Sequence, residues 1–137
     1  MYKIINHEDI KAITEIVGES NVTLKADIQQ DFTHDELGTA KGYPDILVSA
    51  STTETISQIM QYANNKSIAV TVRGSGTGLV GGSVALEGGI LLDLSKMNKI
   101  IELDKTNLTL TVEPGVLLLD IYDYVEKEGL FYAPDPG

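Results

Sequence analysis

The sequence predicts an α/β fold with α+β character: a small parallel sheet of three strands flanked by helices, followed by the start of an antiparallel sheet. Three observations carry this reading. Short apolar runs at Ile46–Val48, Ile68–Val72 and Gly89–Leu94 have the composition of buried strands. A helical pattern joins the first two within about 30 residues, which makes a βαβ unit with parallel strands. Finally, Ile100–Leu103 and Leu108–Val112 flank Asp104-Lys105-Thr106-Asn107 in the manner of a hairpin.

Taken in order, the first element is a helix. Asn6 is its N-cap, Ile10, Ile13, Ile16 and Val17 recur at helical spacing, and Gly18 stops it. Residues 19–43 are polar and mixed, which predicts short helical turns or an arm across the surface, with Asp27, Asp31, Asp35 and Glu36 forming a solvated face. Ser51-Thr52-Thr53-Glu54 is a capping-box pattern ahead of a helix that faces Ile56, Ile59, Met60 and Ala63 inward and ends at Asn64-Asn65. After the hairpin, Pro114-Gly115 breaks the chain, and a last helix carries Leu118, Ile121, Tyr122 and Val125 on one face before Gly129. The closing Pro134-Asp135-Pro136-Gly137 is a turn, which predicts that the chain is the N-terminal part of a longer protein. The organisation expected is an N-terminal helical arm over residues 1–43 and a second part over 44–137.

Composition excludes several classes of function. With 42 % apolar and 22 % charged residues the chain is globular rather than disordered. The absence of cysteine removes disulfide scaffolds, zinc–thiolate sites and iron–sulfur clusters. His7 and His34 show no metal-ligand spacing and read as surface residues, so no metal site is expected. A net charge of −10 with no dense basic stretch opposes nucleic acid and membrane surfaces. No apolar run approaches the roughly 20 residues that span a bilayer. The first residues lack the apolar core of a signal peptide, and the expected location is cytoplasmic.

The segment that carries chemistry is Arg73-Gly74-Ser75-Gly76-Thr77-Gly78-Leu79-Val80-Gly81-Gly82, in which five of ten residues are glycine. Such a loop turns successive N–H groups inward and forms a nest for an anion, commonly a phosphate. It follows a parallel strand, at the end where ligands of α/β sheets sit. Ser75, Thr77 and Ser83 add hydroxyl donors, and Arg73 can add a positive charge. An incidental surface turn accommodates two or three glycines more readily than five. Gly76-x-Gly78-x-x-Gly81 matches the dinucleotide fingerprint literally, but that fingerprint opens a helix directly, and Gly82 to Gly89 contains no helical run. A Walker A loop needs Gly-Lys-Ser/Thr, which is missing. Asp93, Glu102, Asp104 and Glu113 stand beside strand ends and read as capping or solvated groups rather than acid–base pairs. No residue is a credible catalytic acid or base.

The loop resembles the diphosphate loop of FAD-linked oxidases of the vanillyl-alcohol oxidase and p-cresol methylhydroxylase type. The resemblance extends over roughly residues 40 to 137, through Pro44–Val48, Leu92–Ile100 and Val112–Val116. Within that family the chain looks most like the glycolate oxidase subunit and D-lactate dehydrogenase branch. The resemblance implies that Arg73, Gly74, Ser75, Gly76, Thr77, Gly78, Leu79, Gly81, Gly82 and Ser83 cradle the FAD diphosphate, and that Pro134, Asp135, Pro136 and Gly137 line the flavin. Some members attach the flavin covalently to a loop histidine; this loop has none, with Thr77 among its middle residues, which implies non-covalent FAD. The parent protein would oxidise a small 2-hydroxy acid by hydride transfer to FAD, and the fragment alone would be inactive. Open alternatives are an NADPH-dependent flavin reductase of cell-wall precursor synthesis, a non-catalytic nucleotide- or phosphate-binding domain, and a plain α/β interaction domain.

Overall fold

The computed structural model describes residues 2–134. Its first helix, α1 (His7–Val17), begins at the Asn6 cap. The Asn6 side chain accepts from the Asp9 N–H, and the Asp9 carboxylate accepts from the Asn6 N–H, each at 3.0 Å. This reciprocal capping box satisfies two donors that the first turn leaves open. Gly18, with φ 85, ends the helix.

The polar segment that follows holds three short 3₁₀ turns, Glu19–Asn21, Lys25–Asp27 and Gln30–Thr33. Between the first two lies a strand that the sequence pattern did not reveal, β1 (Val22–Leu24). Three residues are too few to display alternation, and its neighbours are polar. It pairs antiparallel with β2 (Ile46–Ser49), Val22 opposite Val48.

The parallel core is as expected but its order is permuted. β3 (Val70–Arg73) and β4 (Ile90–Asp93) complete a sheet of order β1-β2-β4-β3. Both β2 and β3 run parallel to β4, which lies between them. The βαβ unit therefore leaves a gap one strand wide, and the chain returns after the glycine loop to fill it. α2 (Thr53–Lys66) is the crossover. Its cap lies one residue past the predicted box: Thr52, not Ser51, is the N-cap, and its hydroxyl accepts from the Thr55 N–H at 3.1 Å. Three consecutive hydroxyl residues compete for that position, and Glu54 is left exposed without the expected bond. Met60 is also exposed, and Tyr62 packs against the core instead.

The sheet is covered on both faces. Ile46, Val48, Ile90 and Leu92 point toward α1 and α2, where they meet Ile13, Val17, Ile59 and Ala63. The alternate residues Leu47 and Leu91 point the other way and pack with Ala85, Ile28 and Phe32. Burying each large aliphatic side chain contributes roughly 1.5–3 kcal/mol, so the 28–32 segment is pinned to the sheet by its two apolar residues.

A polar knot lies beneath α1. Asp9 is 1 % exposed, and its carboxylate accepts from Lys3 Nζ at 2.6 and 2.7 Å and from the Tyr62 hydroxyl at 2.9 Å. Burial alone would raise the Asp9 pKa, but the Lys3, Asn6 and Tyr62 donors outweigh it and hold it below the ordinary aspartate value. Burial and the adjacent Asp9 carboxylate push Tyr62 up to about 12.

β5 (Ile100–Asp104) and β6 (Thr109–Val112) form a separate antiparallel hairpin, closed where Asp104 accepts from the Thr106 and Asn107 N–H groups at 2.9 and 3.0 Å. α3 (Leu118–Lys127) follows, with Val125 buried and Gly129 at φ 74 just beyond its end. Among the described residues no helix is long and apolar enough to cross a membrane.

Candidate cofactor-binding site

Arg73 and Asp93 end β3 and β4 opposite one another, and the glycine loop departs from that carboxyl edge. Arg73 is buried, and its guanidinium is turned back under the loop. Nη1 donates to the His34 carbonyl at 2.8 Å and Nη2 to the Asp31 carbonyl at 2.9 Å, while the Phe32 ring lies 5.5 Å from the guanidinium carbon. The charge predicted at this position is present, but two of its donors hold the 31–34 segment. Gly76 crosses directly over this group at φ 77, and a Cβ there would collide with the guanidinium. Only glycine satisfies both the left-handed backbone and that close approach.

The main correction to the sequence reading concerns Asp35, expected on a solvated face. It is 3 % exposed. Its Oδ2 accepts from the Gly81 N–H at 2.7 Å, and Oδ1 accepts from the Gly38 N–H at 3.2 Å. The Glu36 N–H donates to the Gly78 carbonyl at 3.2 Å. Asp35-Glu36-Leu37-Gly38 carries a turn signature, aspartate first and glycine fourth. That signal reveals the local bond; the bond to Gly81, 46 residues away, leaves no local trace.

The loop thus has two halves. Its distal end is fastened through Gly81. Its proximal run is open: among the described residues, no acceptor faces the backbone N–H groups from Gly74 to Val80. Ser83 Oγ is buried and also lacks a partner. No atom lies within 4 Å of the place a Cβ would occupy at Gly78 or Gly82. Backbone donors without acceptors, with open space at Gly78 and Gly82 and the buried Arg73 guanidinium under Gly76, fit a diphosphate. Ser75, Thr77 and Leu79 belong to the same exposed stretch.

The Pro134 carbonyl accepts from the Tyr122 hydroxyl of α3 at 2.9 Å. Asp135, Pro136 and Gly137, expected to line the flavin, lie outside the described residues. Of the carboxylates read as capping or solvated groups, Asp93, Asp104 and Glu113 accept backbone N–H bonds and Glu102 is exposed. Asp93 accepts from the Ser95 N–H at 3.0 Å and the Ser95 hydroxyl at 2.9 Å, and Glu113 accepts from the Lys99 N–H at 2.8 Å. Asp93 is buried rather than solvated. His34 directs Nδ1 to the Asp35 carbonyl at 2.9 Å.

Fold and loop together define a class: an α/β domain that carries a glycine loop, rather than a helix, at the carboxyl edge of its parallel strands. The chain belongs to the FAD binding domain family, whose model matches residues 44–137. It is 42 % identical over 137 residues to the D-lactate dehydrogenase of Anaerostipes hadrus, covering 99 % of this chain and 29 % of that protein. It is 41 % identical over 106 residues to the glycolate oxidase subunit GlcD of Bacillus subtilis, covering 77 % of this chain and 23 % of the relative. The solved structure of p-cresol methylhydroxylase with substrate bound superimposes with a TM-score of 0.76 at 24 % identity, covering 95 % of this chain and 27 % of that one. The chain therefore spans less than a third of the length of these relatives. The cofactor of the family is FAD, and the sequence resemblance and the α/β architecture both hold.

Proposed function

We propose that the protein containing this chain is an FAD-dependent dehydrogenase or oxidase of a small 2-hydroxy acid, of the D-lactate or glycolate kind. The observation that carries the reading is the run of acceptor-free N–H groups from Gly74 to Val80, joined by the orphaned Ser83 hydroxyl, at the carboxyl edge of the parallel strands. The two relatives above 40 % identity, named for D-lactate and glycolate, support the substrate class. FAD supplies the chemistry in such proteins by accepting a hydride from the substrate α-carbon. This chain's own part is to bind and orient. Gly74, Ser75, Gly76, Thr77 and Gly78 direct N–H groups to the diphosphate, and Ser83 adds a hydroxyl. Arg73 contributes its charge from beneath the loop, and Gly81 and Gly82 set the distal turn. Leu79 lies against the cofactor, and Pro134 to Gly137 approach the flavin.

The attachment is non-covalent, since the loop offers Thr77 and no histidine. In this reading residues 1–43 are an arm that braces the FAD-binding part over 44–137, and the protein works in the cytoplasm, a location that cell fractionation checks.

The test is a fluorescence titration of the full-length protein with FAD, on the wild type and on the double variant Gly76→Val, Gly78→Val. Saturable binding that the double variant loses by at least about a hundredfold, some 2.7 kcal/mol, is expected. Acid precipitation should release all the flavin to the supernatant, and the bound wild type should be reduced by a D-2-hydroxy acid. A full-length protein that ignores FAD contradicts the proposal.

A further inference from the structure

The Asp35 carboxylate is one of the few charged groups buried in the fold. It is 3 % exposed, and among the described residues neither Lys nor Arg forms an ion pair with it. A buried carboxylate without a cation costs several kcal/mol unless N–H donors replace its water. Its donors are Gly38, three residues on in its own turn, and Gly81 in the glycine loop. The bond to Gly81, at 2.7 Å, has the length of a strong charge-assisted contact.

The surrounding bonds show what this contact organises. The 31–36 segment and the loop hold each other at three separate points. Arg73 donates to the Asp31 and His34 carbonyls, Glu36 donates to the Gly78 carbonyl, and Gly81 donates to Asp35. The segment itself is fixed to the sheet through Ile28 and Phe32. The open N–H run from Gly74 to Val80 is thus held at the Arg73 end, at the Gly78 carbonyl and at the Gly81 end, with its N–H groups left free of acceptors among the described residues. Each glycine in such a run lowers the cost of the bound shape but raises the entropy lost on adopting it. Fixing both ends reduces that loss before the ligand arrives, which raises affinity without adding a contact.

We infer that Asp35 is a positioning residue for the cofactor loop: it fastens the Gly81 end, and so holds the Gly74–Val80 N–H groups in the arrangement that receives the diphosphate. This rests on the reading of that run as the diphosphate site. Asp35 itself touches no ligand. It spends buried charge on loop geometry, and its removal reads out in cofactor affinity rather than in the chemistry of a saturated enzyme.

The experiment uses the full-length apoprotein, stripped of flavin and titrated with FAD, in four forms: wild type, Asp35→Ala, Asp35→Asn and Asp9→Asn. Asp9→Asn weakens a buried network that shares no hydrogen bond with the loop and controls for loss of stability as such. The Kd of Asp35→Ala should rise by roughly ten- to a hundredfold, the change produced by losing one charge-assisted hydrogen bond. Asp35→Asn, with one neutral acceptor for two N–H groups, should show a smaller rise. Asp9→Asn should melt at lower temperature yet keep a Kd within about twofold of wild type, and kcat of Asp35→Ala at saturating FAD should stay near wild type. A wild-type Kd in Asp35→Ala overturns the inference, and so does an equal rise in Asp9→Asn. If Asp35→Ala does not fold, a wild-type Kd in Asp35→Asn overturns it as well. Failure of the wild type to bind FAD removes the proposed function and this inference together, and is distinguished by that single titration.

Discussion

Two polar regions of this domain treat their hydrogen-bonding groups in opposite ways. Under α1, the Asp9 carboxylate is surrounded by Lys3, the Asn6 N–H and the Tyr62 hydroxyl, and each donor has its acceptor. In the glycine loop, the N–H groups from Gly74 to Val80 and the Ser83 hydroxyl have none among the described residues. Buried polar groups are paired where stability is at stake. The knot is a closed hydrogen-bond network, and the loop leaves its donors open, which is what the proposed diphosphate site requires.

Mutations that exchange these properties test the contrast. The largest effect should come from the loop: Gly76→Val with Gly78→Val removes FAD binding, because Val at Gly76 must take a left-handed backbone and displace the Arg73 guanidinium. Next is the knot. Asp9→Ala leaves Lys3 and the Tyr62 hydroxyl without their acceptor, and should cost about 2–3 kcal/mol in urea denaturation, with no change in FAD affinity well below the melting temperature. The same knot sets a pH dependence. The folded-state pKa of Asp9 is lowered, so its contribution is complete above the ordinary aspartate value of 3.8 and is lost as pH falls through the depressed folded value. For Tyr62 the folded pKa is raised from 10.0 to about 12, so its contribution is complete below 10.0 and is lost as pH rises through about 12. Replacing Asp9 should flatten both limbs of a stability–pH curve. The smallest effect belongs to Ser83→Ala, which should leave apoprotein stability within about 0.5 kcal/mol while weakening FAD roughly fivefold, the worth of one neutral hydrogen bond. A destabilised Ser83→Ala apoprotein would mean that the hydroxyl serves the fold.

Much of this architecture was legible because its signals are local. Asn6 and Gly18 bound α1, the apolar runs become β2, β3 and β4, and Asp104 closes the hairpin. Where several neighbours carry the same signal, the position blurs: Ser51, Thr52 and Thr53 can all cap, and Thr52 does. β1 escaped because three residues carry no period, and its pairing with β2 is settled by the sheet edge. The loop was legible as an irregular, open connection through its glycines. Asp35 was not, because its decisive partner is distant in sequence and its neighbours Asp31 and Glu36 are exposed. Arg73 was legible as a positive charge at the strand end, but not its bonds to the Asp31 and His34 carbonyls, which lie about forty residues away in the sequence.

In the proposed function the Gly74–Val80 N–H groups receive the diphosphate, while the Gly81 N–H already has its acceptor in Asp35. Residue-resolved amide hydrogen exchange on the full-length apoprotein, without and with saturating FAD, tests it most directly. Gly74 to Gly78 should exchange fast in the apoprotein and be strongly protected on adding FAD, with the Gly81 amide already protected beforehand and changed little. Unchanged exchange across Gly74–Gly78 in the FAD complex, with protection appearing in some other segment, would contradict it.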